Sequence, residues 1–264
     1  MQVKPVKSEI LNLADGKNIT VYHFGNVEST NDIAKEMAKE VEGEFVVIAD
    51  SQSGGKGQKG RSFYSPAGKG LYLSLLVRPN KPLAQMLKIT TIAAFATAKS
   101  VEKVSGQPTE IKWVNDILLR GKKIAGILTE AKAKDDGIAD YVVIGIGLNV
   151  LEPEEGYPAD IKDIAGAVYT KSQIENLNVG KQQLQNFEID LINKLMSYYA
   201  NFDKEKYVNQ YKAKCTFLGK DIEVTDSKGT RKAKAVDIDE NYGLIVEYEG
   251  GEKESLISAE IKVL

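Results

Sequence analysis

The sequence predicts an α+β protein: a mixed strand-and-helix region over residues 1–215, then a small all-β unit over residues 216–264. Three observations carry this. Apolar runs of strand length are interspersed with segments whose apolar residues recur every three or four positions, as in Leu184, Phe187, Leu191 and Leu195. From about Thr216 the texture changes to short strands punctuated by hairpin signals, Asp226-Ser227-Lys228-Gly229, Asn241-Tyr242-Gly243 and Gly250-Gly251. Finally, 264 residues, 42% of them hydrophobic and 27% charged, suffice for a sizeable core without a disulfide or metal staple.

In chain order, residues 20–24 (Thr-Val-Tyr-His-Phe) read as a strand. Ser29-Thr30-Asn31-Asp32 offers N-cap candidates, with Ser29 and Asp32 spaced like a capping box, and Ile33, Ala34, Met37, Ala38 and Val41 follow at helical spacing until Gly43. Residues 44–49 form a short apolar strand. Residues 52–61 are a glycine-rich basic loop, and residues 71–78 return as a strand. Pro82 opens a long helix from about Leu83 to Val104, which Ser105-Gly106-Gln107-Pro108 ends. Residues 111–119 read as one strand, 120–123 as a hairpin turn, 124–131 as its partner, and 141–150 as a fully apolar strand. A short helix is expected over 160–169, a long amphipathic one over about 181–202, and another over about 204–214. The closely spaced strands of the last unit suggest a small β-barrel.

Composition narrows the function. The single cysteine, Cys215, excludes an internal disulfide; it reads as a buried small apolar residue and points to a reducing compartment, the cytoplasm. The N-terminus has no apolar core of signal-peptide length. The most apolar run, Ile89 to Ala98, falls far short of the ~20 residues that span a bilayer. A net charge of −2 argues against general nucleic-acid binding. The charge distribution says more: Ser51 to Val101 holds no Asp or Glu but eight Lys or Arg, so an anionic ligand is expected near that stretch.

The loop inside that stretch has the chemistry for it. Gly54, Gly55, Gly57 and Gly60 let backbone N–H groups approach a phosphate, and Lys56, Lys59 and Arg61 supply charge. It is not a P-loop, because no Gly-Lys-Ser/Thr follows at that spacing, nor a dinucleotide fingerprint, because no helix pattern follows and Pro66 intervenes. It reads as an anion-binding loop able to act as a lid, with a flexible linker as the plain alternative.

Several ordered motifs together make the chain resemble the biotin–protein ligases from about Tyr22 to Leu264. They are Ser29-Thr30-Asn31; Gln52; Gly55-Lys56-Gly57-Gln58-Lys59-Gly60-Arg61, followed by Phe63, Ser65 and Pro66; Lys112-Trp113-Val114-Asn115-Asp116; Lys123-Ile124-Ala125-Gly126-Ile127-Leu128; Gly145-Ile146-Gly147-Leu148-Asn149; and the closing Ser258-Ala259-Glu260-Ile261-Lys262-Val263. The resemblance implies an SH3-like form for the last unit, a catalytic biotin- and ATP-binding first domain, and formation of biotinyl-5'-AMP. Biotin is then passed to a lysine of a biotin carboxyl carrier protein, with Mg²⁺ accompanying ATP. Two departures stand out. Lys56 and Gln58 replace the usual arginines; lysine keeps charge without the bidentate fork and glutamine keeps only hydrogen bonding, so looser retention of the adenylate is expected. Val114 replaces a proline.

Residue by residue, the resemblance implies the following. Lys123 is the central cation, meeting both the biotin carboxylate and the reacting phosphate, with Arg61 beside it on the phosphate. Forming an acyl-adenylate requires two anions to meet, so catalysis is positioning plus charge stabilisation, with no covalent nucleophile. Ser29, Thr30, Asn31 and Gln52 suit the ureido head of biotin, whose two N–H donors and one carbonyl need neutral partners. Lys56, Gly57, Gln58 and Gly126 complete the biotin side. Gly55, Lys56, Gln58, Arg61, Lys112, Asn115 and Asn149 form the ATP side, and Asp116 is the candidate Mg²⁺ ligand. Plain readings stand beside these: helix capping for Ser29 and Thr30, a solvated hairpin lysine for Lys123, turn residues for Asn115 and Asn149, a surface pair for Lys112 and Asp116, a core position for Trp113. His23 reads as structural.

Three rival readings make different demands on the sequence. A lipoate–protein ligase would show Arg-Arg-x-x-Gly-Gly-Gly and a His-Asp pair, which are absent. A DNA-binding repressor would need more than the ~20 residues that precede the pattern, too few for a helix-turn-helix, so no DNA partner is expected. A non-catalytic biotin binder differs only in lacking activation. No membrane partner is expected, and a homodimer stays open.

Overall fold

The computed structural model describes residues 4–83, 86–177, 179–201 and 207–264. The first region is built on a mixed eight-stranded sheet of order β1-β2-β3-β4-β8-β7-β6-β5. Its strands are β1 (Lys7–Asn12), β2 (Asn18–Val27), β3 (Phe45–Gln52), β4 (Gly70–Val77), β5 (Glu110–Lys112), β6 (Asp116–Leu119), β7 (Lys122–Ala133) and β8 (Ala139–Asn149). Only β2 and β3 run parallel, joined through α1 (Thr30–Met37); all other neighbours are antiparallel.

The period-two alternation of the strands decides which helix covers which face. Phe45, Val47, Ala49, Leu76 and Val143 point to the α1 side, where they pack around Ala34. Val46, Ile48, Leu73, Leu75, Ile144 and Ile146 point the other way, into the large core under α2 (Met86–Ser105) and α4 (Lys181–Asn201). On that side Ala93, Ala94, Phe95, Phe187, Leu191 and Leu195 are buried. α1 spans only eight residues, so it covers part of its face and leaves the sheet open beyond it.

The structure corrects several expectations. β1 was not anticipated; it forms a hairpin with β2 across a turn at Gly16, whose φ is +84°. The single strand expected over 111–119 is two, β5 and β6, folded on each other with Lys112 opposite Asp116. The peptide between Trp113 and Val114, in the turn joining them, is cis. No helix forms over 160–169. Residues 159–164 make turns instead, and 165–169 run extended, because their backbone groups bond to strand ends: Gly166 N–H to Lys123, Val168 N–H to Asn149, Tyr169 N–H to Val150. The helix expected over 204–214 is confined to α5 (Val208–Lys212), and residues 204–206 lie outside the described residues.

Beyond α5 come β9 (Asp221–Asp226), β10 (Gly229–Ile238), β11 (Leu244–Tyr248), β12 (Lys253–Leu256) and β13 (Glu260–Val263). They form an antiparallel sheet of order β12-β11-β10-β9-β13, with a bulge between Ala235 and Asp237. The expected barrel is not closed: β12 and β13 remain edges among the described residues. Ile222, Val224, Leu244 and Val246 are buried here in a core continuous with that of the first region. Trp113 joins the two, its Nε1–H donating to the Tyr242 carbonyl at 3.0 Å, while the rings of Tyr211 and Tyr242 meet edge to face.

Candidate functional site

The open part of the sheet face becomes a hollow because three neighbouring strands carry small residues there. In β8 Gly145 lies between Ser74 of β4 and Leu128 of β7, and Gly147 lies between Tyr72 and Gly126. Without side chains at 126, 145 and 147, a ligand or another side chain approaches the sheet backbone directly. Asn31 does this at Gly145 and the Phe63 ring at Gly147, each so closely that a Cβ would overlap it. The resulting cleft holds about 800 Å³.

One end of the cleft is a neutral hydrogen-bonded floor. Ser29, Thr30 and Asn31 are buried at the start of α1. The Gln52 carboxamide oxygen accepts from both the Thr30 amide (2.9 Å) and hydroxyl (3.1 Å), and its Nε2 donates to Ser65 Oγ at 3.0 Å. Asn31 is oriented equally firmly. Its Nδ2 donates to Glu130 Oε2 at 2.7 Å, and Ser74 Oγ lies 2.6 Å from its Oδ1. Ser29 occupies the N-cap position but makes no capping hydrogen bond, and Asp32 pairs with Lys35 and Lys56 rather than closing a capping box.

The other end is charged. The loop rises from β3 over the cleft, with Lys59 (φ 55°) and Gly60 (φ 75°) making its left-handed bend. Lys56 Nζ lies 2.6 Å from Asp32, whose carboxyl burial pushes up but Lys56 and Lys35 hold below its ordinary value. Arg61 Nη2 donates to both oxygens of Glu260 at 2.6 and 2.5 Å, and this contact keeps the Glu260 carboxyl low. Lys123 Nζ lies 2.7 Å from Asp116 Oδ1. That oxygen is buried yet receives no aligned hydrogen bond, so the ammonium is in ionic contact only.

The expected site residues converge, although 120 positions separate Ser29 from Asn149. Ser29, Thr30, Asn31, Gln52, Lys56, Gly57, Gln58 and Arg61 line the cleft from one side, and Lys112, Asn115, Asp116, Lys123, Gly126 and Asn149 from the other. Gly55 is the exception. It packs behind the cleft, where a Cβ would strike the Phe63 carbonyl and Ser65. The two asparagines also hold backbone: Asn115 Nδ2 donates to the Ile127 carbonyl at 2.9 Å and Asn149 Nδ2 to that of Gly166 at 3.0 Å. Trp113 touches the cleft but is 3% exposed, in keeping with a core role. His23 sits elsewhere, against Glu9 at 3.0 Å.

Sequence reasoning missed four contributors. Ser74, fully buried beneath the floor, could have been found as the lone polar residue of an apolar strand. Glu130 orients Asn31 from the next strand but one. Residues 161–165, expected in a helix, form a wall beside Lys123, whose amide donates to the Ile164 carbonyl at 2.7 Å. Glu260 reaches the loop from the last strand, a pairing that nothing local announces.

A neutral polar floor joined to a cation-lined mouth, in one hollow, offers neutral hydrogen-bonding groups at one end and sites for anions at the other, as a ligase that joins an acid to a nucleotide requires. Comparison with known proteins agrees. The pattern of the biotin/lipoate A/B protein ligase family matches residues 24–149. The bifunctional ligase/repressor BirA of Bacillus spizizenii is 34% identical over 240 residues, covering 90% of this chain and 72% of that protein. The biotin–[acetyl-CoA-carboxylase] ligase of Mycobacterium tuberculosis is 37% identical over 118 residues, 43% of this chain and 42% of that one. In fold, the chain is similar to the biotin protein ligase of Aquifex aeolicus in complex with biotin and ATP. The TM-score is 0.75 at 23% identity, over 92% of this chain and 98% of that one. The chain belongs to the biotin/lipoate A/B protein ligase family, among its biotin–protein ligases.

Proposed function

We propose that this chain activates biotin with ATP and transfers it to a lysine of a carrier protein. The observation that carries the reading is that Lys123 and the 56–61 loop face one hollow whose far end is the neutral floor. The floor suits the ureido ring, which needs donors and acceptors but no charge. The carboxylate end then points toward Lys123. There one carboxylate oxygen attacks the α-phosphorus of ATP, pyrophosphate leaves, and biotinyl-5'-AMP forms. Lys123 and Arg61 offset the repulsion between the two anions, and Gln58 and Lys56 close over the product. In the second step a carrier lysine, as the free amine, attacks the acyl carbon and AMP leaves.

Asp116 suits Mg²⁺, since its carboxylate is a hard anionic donor beside the phosphate cations and is paired with Lys123 alone among the described residues. The metal would supply further neutralisation of phosphate charge. Lys112, Asn115 and Asn149 suit the nucleotide side. Relatives named biotin–[acetyl-CoA-carboxylase] ligase support a biotin carboxyl carrier protein or domain as the acceptor. No helix among the described residues is long and apolar enough to cross a membrane, and the one thiol is buried, its pKa pushed up by burial to about 12. The buried thiol fits work in a reducing compartment such as the cytoplasm.

The test is mass spectrometry of a purified biotin carboxyl carrier domain after incubation with this protein, biotin and Mg-ATP. A gain of one biotinyl mass on one lysine is expected. An unmodified carrier under conditions where a known ligase modifies it would overturn the reading.

A further inference from the structure

The cations at the mouth of the cleft are not waiting bare for phosphate. Lys56 rests on Asp32, Lys123 on Asp116, and Arg61 and Lys59 share Glu260 at 2.5 and 3.7 Å. The first two carboxylates belong to α1 and to the opening residue of β6, which build the cleft itself. Glu260 differs, because it comes from the opening residue of β13, an edge strand of the C-terminal sheet, 199 positions from Arg61. It lines the cleft, and Lys112 adds to the positive field around it. Two loop cations are thus gathered on one protein carboxylate, with Lys112 contributing to the field around it.

We propose that Glu260 occupies the place of the nucleotide's polyphosphate in the ligand-free protein, and that ATP binds by displacing it. The proposal rests on the reading of the cleft as an ATP site and adds a residue that sets nucleotide affinity. A carboxylate presents two anionic oxygens to Arg61 as a phosphate would, but with fewer charges and acceptor atoms. Here a single Nη2 meets both oxygens, so the parallel two-nitrogen fork that gives such pairs their strength is not formed. The pair is also exposed, at 65% for Arg61 and 39% for Glu260, and exposed ion pairs are weakly held. A triphosphate with several charges replaces it readily, and the displaced carboxylate is released to water.

This predicts a sign that a merely supporting role would reverse. If Glu260 competes with phosphate, its removal tightens nucleotide binding; if it holds Arg61 in a productive pose, its removal weakens it. The experiment is calorimetric titration of the whole protein with ATP, and separately with inorganic triphosphate, without biotin, for wild type, Glu260→Gln and Glu252→Gln. The last is an exposed acid in the β11–β12 turn and controls for net charge. Glu260→Gln is expected to bind both ligands about five-fold tighter, the ratio that one unit charge at contact corresponds to in water-like surroundings. Glu252→Gln should match wild type. In an Arg61→Ala background the gain should vanish, and biotin affinity should be the same in all variants. Equal or weaker triphosphate binding by a Glu260→Gln protein with an unchanged melting curve overturns the proposal. If carrier biotinylation fails but Glu260→Gln still binds triphosphate more tightly, only the assigned activity falls. If no variant binds triphosphate, the phosphate site itself is refuted and this proposal with it.

Discussion

The two ends of the cleft are built to opposite specifications. At the floor, Thr30, Asn31, Gln52, Ser65 and Ser74 are neutral, largely buried, and tied to one another by hydrogen bonds of 2.6–3.1 Å before any ligand arrives. At the mouth, Lys56, Lys59 and Arg61 sit on an exposed loop and are held by ion pairs that water screens. A buried polar network is costly to rearrange, so it selects by fixed geometry. Screened pairs exchange easily, so the mouth accommodates whatever charge is present. On the proposed function, the rigid end would recognise the vitamin and the adaptable one would handle the phosphates.

The comparison breaks most completely at the cation between the two ends. Lys123→Ala should lower biotin-dependent ATP–pyrophosphate exchange by ~10²–10³-fold, the usual effect of removing one fixed donor to developing charge. Biotin affinity should fall much less, and near-wild-type exchange would reassign Lys123 to the solvated hairpin. Next comes the floor. Gly145→Ala puts a methyl group into the Asn31 carboxamide. Biotin binding should weaken by ~10–100-fold, as expected when buried hydrogen bonds worth about 1–3 kcal/mol are lost. ATP binding should hold, and calorimetry of both ligands would show whether the ends are separable. The smallest change sharpens the mouth. Gln58→Arg restores a charged fork, and should slow release of biotinyl-AMP a few-fold in a filter or chromatography assay. Equal release rates would mean that Gln58 does not face the adenylate.

How much of this the sequence disclosed depended on range. Signals within a few residues were legible: the Leu184–Leu195 spacing became α4, and Asn241-Tyr242-Gly243 became the turn between β10 and β11. The convergence of Ser29, Gln52, Lys123 and Asn149 was legible through the ordered motifs, because each lies at or near an element end that the sheet brings to one face. Failures came where distant backbone claimed a segment. Residues 160–169 have helix-compatible composition, yet their amides and carbonyls bond to the ends of β7 and β8, so tertiary bonding overrode local preference. β1 is short, exposed and lysine-bearing, so it carries no alternation that would mark it as an edge strand. Barrel closure likewise depends on how two edge strands meet, which turn signals do not encode.

The indole of Trp113 gives the C-terminal sheet a second meaning. Its N–H ends on the Tyr242 carbonyl in the β10–β11 turn, and Trp113 itself sits in the β5–β6 turn between Lys112 and Asp116. Shortening the protein at about residue 215 would remove the acceptor of this donor and uncover the apolar core that Trp113, Val114 and Tyr211 share with Ile222, Val224 and Leu244. The appended sheet is thus a keystone for the first region, and a trimmed protein should lose stability and the set of the Lys112–Asp116 turn together.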